Sequence, residues 1–306
     1  MHARWLLSLF GFLLFPFVLF AQNTPPPVQV KVGEEDTIRP KNPNMPEIGF
    51  YKRSTIAEKV EPVPYTFVRE SDVLWSKIIW REVDLRQKMN YPLYYPIQEM
   101  RDRKSLTQAL YEAILDRTIF AYDPGPSFYS PGDEFVATMS IKQVLDIMRP
   151  IDSTMTTNAQ GQTQMTLVRN DPRWREIKRL IIKEEWFFDS KRSVLEVRIL
   201  GLCPVVESFD PNTNKLKREQ AFWVYYPEAR KVLTHTAVFN NKNDAQSISF
   251  DDLFFKRRFD SYIIRETNEY NNRSISSYKK GGIPNMLESE RIQTDIFNTE
   301  HDLWEY

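Results

Sequence analysis

The sequence predicts an α+β fold: a helical N-terminal half followed by an antiparallel sheet with flanking helices. Three observations carry this prediction. "SLTQ" from Ser105 and "SIKQ" from Ser140 are capping-box patterns, each opening a run of apolar residues at helical spacing. After residue 166 the period changes: "RLIIKEEWFF" and "SVLEVRILGL" are β-branched and aromatic-rich and flank "DSKR", a hairpin signal. "PVVESF" and "QAFWVYYP" around the turn "DPNTNK" then suggest two further antiparallel strands.

The elements follow in chain order. Arg4 precedes an apolar run from Trp5 to Ala21, and "QNTPPP" follows at once, so residues 1–21 read as a signal peptide cut after Ala21. The run is short for a membrane span and is interrupted by Gly11 and Pro16. Residues 22–64 are proline-rich and read either as a linker or as an extended arm lying on a neighbouring molecule. Ile48, Phe50 and Tyr51 favour the arm, because a solvent linker has no need of them.

Residues 65–150 read as a helical region. Its first helix is expected from Asp72 to Met89, capped by Ser71 and stopped by "NYPLYYP". Trp75 and Trp80 are then about 140° apart, at about 100° per residue. Two apolar flanks, Leu74, Ile78, Leu85 and Met89 on one side and Ile79 and Val83 on the other, straddle Glu82 and Arg86, an i,i+4 pair. Trp80 lies outside both flanks and is expected to meet a second body: the arm, the β region or another subunit. The second helix places Leu106, Ala109, Leu110, Ala113 and Ile114 inward, the third Ile141, Val144, Leu145 and Met148.

Residues 151–170 are polar and Thr/Gln-rich and read as a surface loop or hinge. Residues 171–275 form the antiparallel α+β region. Within it "PEARKVL" opens a helix on Pro227, and "SFDDLFFKRRF" opens another on Ser249. "DSYIIRET" fits helix or strand. Residues 276–306 read as a loosely held tail.

Chemistry is sparse. The 41 Lys plus Arg residues equal the 41 Asp plus Glu, so no net field draws in nucleic acid or anionic lipid. No GxGxxG or GxxxxGK[ST] motif appears and nine glycines make phosphate-cradling loops scarce; HExxH, CxxC and Ca²⁺-loop patterns do not appear either. No metal or cofactor is therefore expected. Cys203 is the sole cysteine, so no internal disulfide forms, and it reads as a small buried hydrophobe. Cys203 with His235 is the one nucleophile–base pair on offer, and it has no orienting motif. Glu184 and Glu185 point to opposite faces of a strand, and Asp251 and Asp252 suit a helix N-terminus. Catalytic residues are accordingly expected to be none. The positive signal is aromatic: Trp75, Trp80, Tyr91, Tyr94, Tyr95, Trp186, Phe187, Phe188, Phe222, Trp223, Tyr225 and Tyr226 fall in short clusters. They serve as core, as a protein-contact surface, or as stacking platforms in a periplasmic glycan- or peptidoglycan-binding module.

Four stretches stand in order along the chain: "LWSKIIWREVDLRQKMNYPLYYP" (74–96), "EEWFFDSKRSVLEVRILGLCPV" (184–205), "FWVYYPEARKVLTHTAVFN" (222–240) and "SFDDLFFKRRFDSYIIRETNEYNN" (249–272). Together they resemble the GldN/PorN family of gliding motility and type IX secretion in Bacteroidota. The resemblance implies a non-enzymatic periplasmic subunit. It implies a ring built with a GldK/PorK-type outer-membrane lipoprotein, self-association within that ring, and contact with a GldM/PorM-type motor shaft. It implies no direct membrane insertion after signal cleavage; the partner supplies the anchor. The contact residues expected on this reading are Trp80, Glu82, Arg86, Tyr91, Tyr94 and Tyr95, with Ile48, Phe50 and Tyr51 of the arm.

Overall fold

The computed structural model describes residues 30–31, 61–100, 103–125, 134–157, 163–210, 214–240, 243 and 248–304. The expected signal peptide and the arm residues Ile48, Phe50 and Tyr51 lie outside them. In chain order the strands are β1 (Val30–Lys31), β2 (Val73–Asp84), β3 (Ala121–Tyr122), β4 (Ile151–Thr157), β5 (Thr163–Arg169), β6 (Ile177–Asp189), β7 (Val194–Asp210), β8 (Lys215–Gln220), β9 (Trp223–Tyr225), β10 (Ala237–Val238), β11 (Ile248–Ser249) and β12 (Tyr262–Glu266). The helices are α1 (Tyr91–Tyr94), α2 (Leu106–Leu115), α3 (Ile141–Met148), α4 (Tyr226–His235), α5 (Phe250–Phe255), α6 (Ile275–Tyr278) and α7 (Gly282–Trp304).

The fold is α+β, and its centre is an antiparallel sheet ordered β12-β2-β6-β7-β9-β3, with β8 on the far end of β7. The first expected helix is a strand. From Ile79 to Val83 every residue of β2 is buried, because helices cover one face of the sheet and a second apolar cluster covers the other. A strand buried on both faces loses the two-residue alternation that marks a half-exposed strand, and its apolar residues then fit a helical template equally well. Register with β6 assigns the faces. Ile79, Arg81 and Val83 lie opposite Glu184, Ile182 and Leu180. Ile78, Trp80 and Glu82 lie opposite Glu185, Lys183 and Ile181 on the other side. The N-terminal half is therefore not helical throughout: its longest described element is β2.

The local signals hold where they rest on short-range hydrogen bonds. Ser105, Ser140 and Ser249 each cap a helix and each closes a capping box, with Gln108, Gln143 and Asp252. The five residues assigned to the inner face of α2 are all buried. On α3, Val144 and Met148 are buried and Leu145 packs against the same core. Pro227 occupies the first turn of α4. Residues 190–193 turn β6 into β7. "DSYIIRET" is strand: β12 pairs with β2, and the Ile263 N–H is met by Ser289 Oγ from α7 at 2.8 Å, which closes part of that edge.

Two further expectations change. The polar segment 151–170 contains the hairpin β4–β5, paired from Ile151↔Arg169 to Thr157↔Thr163. Thr-rich sequence has the propensity for a strand as well as the polarity of a loop, and β5 also pairs with β1 in a three-stranded sheet ordered β1-β5-β4. The expected loose tail contains α7, 23 residues long, which buries Ile292 and Ile296 against Ile79 and Ile263.

On the helix-covered face, Leu110, Val144, Phe222, Leu233, Phe250 and Phe254 pack on Val83, Leu180, Ile182 and Leu202. Asp251 accepts hydrogen bonds there from Tyr226 Oη (2.8 Å) and from Arg230 Nε (2.9 Å) and Nη2 (3.0 Å). Burial drives the Tyr226 phenol well above its ordinary pKa, reinforced by the Asp251 charge. Arg230 also reaches the Val63 carbonyl at 2.7 Å and stacks over Tyr65 at 4.3 Å, while Arg192 holds Thr66 Oγ1 at 2.9 Å. These contacts strap residues 63–66 onto the body.

Trp80 is only 5% exposed and packs with Ile181, Cys203, Val205 and Trp223. Of the bodies it was expected to meet, it meets the chain's own sheet. Trp80→Ala should lower the unfolding free energy by about 3–5 kcal/mol, the range for deleting a buried large aromatic. Urea titration of the purified chain measures this, and a loss below about 1 kcal/mol would contradict the burial.

Candidate functional site

Across the sheet from the helix-covered core lies a cleft of about 340 Å³. Its floor is the second face of β2 and β6 with Arg218 and Gln220 of β8 and Trp223 of β9, and its walls come from β12, the Ser274–Ser276 segment, the start of α7 and residues Pro124 and Glu134. Strand alternation sends Trp80 and Glu82 of β2, Arg179 and Lys183 of β6, and Cys203, Val205 and Glu207 of β7 to this one face.

Two charge clusters occupy the floor. In the first, Glu134 accepts from Trp80 Nε1 at 2.9 Å and from Lys183 Nζ at 2.7 Å, and Arg265 Nη1 lies 3.9 Å away. Lys183 and Arg265 each sit 5.3 Å from the Trp80 ring centroid. The indole therefore gives its edge N–H to a carboxylate while its ring attracts two cations. Burial pulls the Arg265 pKa below the guanidinium norm, and the Glu134 charge opposes that shift. In the second cluster, Arg179 pairs with Glu82 and donates to Glu207 Oε1 at 2.6 Å. Arg218 Nε approaches the same Glu207 oxygen at 3.1 Å, and Tyr262 donates to Glu82. Burial raises the Tyr262 pKa.

The carboxylates of these clusters are each engaged by cations, so the network ties five strands together: β2, β6, β7, β8 and β12. Breaking one partner of such a buried pair leaves the other charge uncompensated, which costs about 3–5 kcal/mol. Among the described residues, no group of three or more His, Cys, Asp or Glu side chains could hold a metal ion.

The expected contact residues divide. Trp80 and Glu82 are buried in the chain's own network. Arg86 does not pair with Glu82: its guanidinium holds both oxygens of Asp84, at 2.9 and 2.6 Å, and keeps the Asp84 carboxyl below the usual carboxylate pKa. The i,i+4 spacing that motivated the Glu82–Arg86 pair exists only on a helix. Tyr91 and Tyr95 are 42% and 47% exposed and meet edge to face, with ring centroids 5.5 Å apart. Tyr94 is half-buried, packs on the main core and bonds the Arg175 carbonyl at 3.4 Å. The glycan-stacking alternative asks for open aromatic faces, and Trp80 and Trp223 have almost none.

Reasoning from sequence missed Glu134, Arg179, Lys183, Tyr262 and Arg265. A signal existed for two of them: Lys183 in "LIIKEEW" and Arg265 in "YIIRET" are single charges inside apolar strands, which are rare unless paired. Cys203 and His235 stand on opposite sides of the sheet: Cys203 lies in the second-face cluster, and His235 ends α4 in the helical layer. Cys203 is fully buried, and that burial pushes its thiol pKa well up.

Iodoacetamide at pH 8 should leave Cys203 unmodified in the folded chain and alkylate it fully in urea, as read by intact mass. Rapid labelling of the folded chain would contradict the burial.

No curated protein sequence matches the chain. The family model described as gliding motility associated protein GldN matches residues 68–305. That span begins just before β2 and ends just after α7, so it takes in the whole central sheet, its helices and the charged cleft. The chain belongs to the GldN family and is thereby a component of the gliding-motility and type IX secretion machinery.

Proposed function

We propose that this chain is a non-enzymatic periplasmic subunit of that machinery. It is exported by its N-terminal 21 residues, assembles into a ring with a GldK/PorK-type outer-membrane lipoprotein, and contacts a GldM/PorM-type motor shaft. The observation that carries the reading is the family match over residues 68–305. Two features of the fold are compatible with it. Among the described residues no helix is long and apolar enough to cross a membrane, as a subunit with a borrowed anchor requires. The cleft's charges are consumed in internal ion pairs, which gives them a structural role.

The contact surface we propose is the turn after β2. Met89, Tyr91 and Tyr95 are exposed together there, with Arg86 close by in sequence. Tyrosine presents a large rigid face at low entropic cost, which suits a protein interface. The surface is fixed from beneath: Asn90 is buried, donates to the Asp84 and Asp260 carbonyls at 2.8 and 3.0 Å, and accepts from the Asp260 N–H at 2.9 Å.

Affinity purification of the tagged chain from solubilised envelopes should recover an outer-membrane lipoprotein in near-constant ratio. Recovery of the chain alone from cells that glide or secrete would refute the assembly reading. Replacing Tyr91 and Tyr95 together by Ala should reduce retention of that partner about 30-fold, corresponding to about 2 kcal/mol. Folding stability should fall by no more than about 1 kcal/mol. A stability loss matching that of Trp80→Ala would show the pair to be core.

A further inference from the structure

We infer that the groove beside Met89 and Phe239 docks an acidic segment of a protein partner, one that seats apolar side chains between its carboxylates. This rests on the contact surface proposed above and names the chemistry that the surface meets.

The groove lies between the turn after β2 and the β10–β11 ribbon and holds about 850 Å³. Its floor is apolar: Val238 and Leu253 are buried, and Pro92 and Ile248 are half-buried. At its rim Met89 is 57% exposed and Phe239 43%. Tyr91 adjoins Pro92 in the chain and is exposed together with Tyr95, so the groove continues the tyrosine surface. Exposed apolar area gathered in one place marks an interaction site.

The rim has one sign of charge. The described residues that line the groove include Lys88, Lys256 and Arg258 and no carboxylate. Among the described residues, the exposed side chains of Lys88 and Arg258 form no ion pair. Lys256 meets Asp252 at 3.2 Å with both side chains about half exposed, and so weak a pair leaves the ammonium available to a second carboxylate. Arg103 lies 5.0 Å over the Phe239 ring and adds positive charge on that side. The whole chain balances 41 basic against 41 acidic residues, so this excess is local. Carboxylates complement it, and a basic segment would be repelled.

The walls are set before any ligand arrives. Asn90 ties one to the other: it donates to the Asp260 carbonyl at 3.0 Å and accepts from the Asp260 N–H at 2.9 Å. The Asp260 side chain does not line the groove. Helix α5 ends in a Schellman-type turn. Arg257 takes a positive φ of 49° and bonds the Phe254 carbonyl at 3.0 Å, and the Arg258 N–H reaches the Leu253 carbonyl at 2.9 Å. Preformed walls spare the complex an ordering cost. The apolar floor lies in a depression, which a projecting side chain enters and a flat headgroup layer does not, so a protein segment fits it better than a bilayer.

The test uses the assembly with the lipoprotein partner. A carbodiimide joins amines to carboxylates in direct contact, so Lys88 and Lys256 should be linked to Asp or Glu side chains of the partner, as mapped by mass spectrometry. Lys88→Glu combined with Arg258→Glu should weaken retention of the partner about ten-fold and flatten its dependence on NaCl, with the melting temperature unchanged. Lys88→Arg with Arg258→Lys should retain it. Links from Lys88 only to a second copy of this chain would overturn the proposal. So would binding to phosphatidylglycerol vesicles that the charge reversal abolishes, with no link to the partner. Full retention by the reversed variant, with Lys88 acetylated as fast in the assembly as in the free chain, overturns the groove and leaves the tyrosine surface standing. Retention that also survives replacement of Tyr91 and Tyr95 overturns both.

Discussion

Strand β2 passes through the middle of the molecule with side chains buried on both faces, and the other layers are arranged around that fact. On one side Ile79 and Val83 meet α7 and the main helical core. On the other Trp80 meets Ile181, Cys203 and Trp223. A central strand of this kind is committed by burial on two fronts, so a slip of one residue against β6 would put Arg81 where Trp80 now packs and Trp80 where Ile79 now packs. Arg81 and Glu82 themselves show how tightly the register is specified. Each is buried, and each finds its partners only in this alignment: Arg81 bonds Ser261 and lies by Glu184, and Glu82 holds Arg179 and Tyr262.

Charge burial is the second organising feature. Glu184 has no exposed surface and lies against Arg257, Trp186 and Arg81. Glu134 and Glu82 play the same part on the other face. Such networks are costly to desolvate and are weak evidence for stability by themselves. What they supply is uniqueness: a strand carrying a buried charge accepts few neighbours. The ion pairs of the charged cleft hold its strands to one alignment.

What was legible depended on the range of the interaction. Ser105, Ser140 and Ser249 announced their helices because the capping hydrogen bonds close within three residues. The β6–β7 hairpin was legible because its turn sits between two strongly β-forming runs. The stretch from Asp72 to Met89 was misread because two-sided burial erased its alternation, and the helical wheel drawn on it then placed Trp80 and the Glu82–Arg86 pair in relations that a strand does not contain. The candidate cleft was illegible for a different reason. Trp80 and Glu134 are 54 positions apart, Glu82 and Arg179 97, and Glu82 and Tyr262 180.

By itself, then, the sequence determined the α+β class, the capped helices and the family membership carried by four ordered stretches. All of these follow from local hydrogen bonding, local period or residue identity. Only the tertiary structure decided that β2 is a strand, that Trp80 is core, that the polar segment after Ile151 folds as a hairpin and that α7 closes the edge beyond β12. Each of those outcomes depends on what covers a face or pairs with an edge, and the covering partner lies tens to hundreds of residues away along the chain.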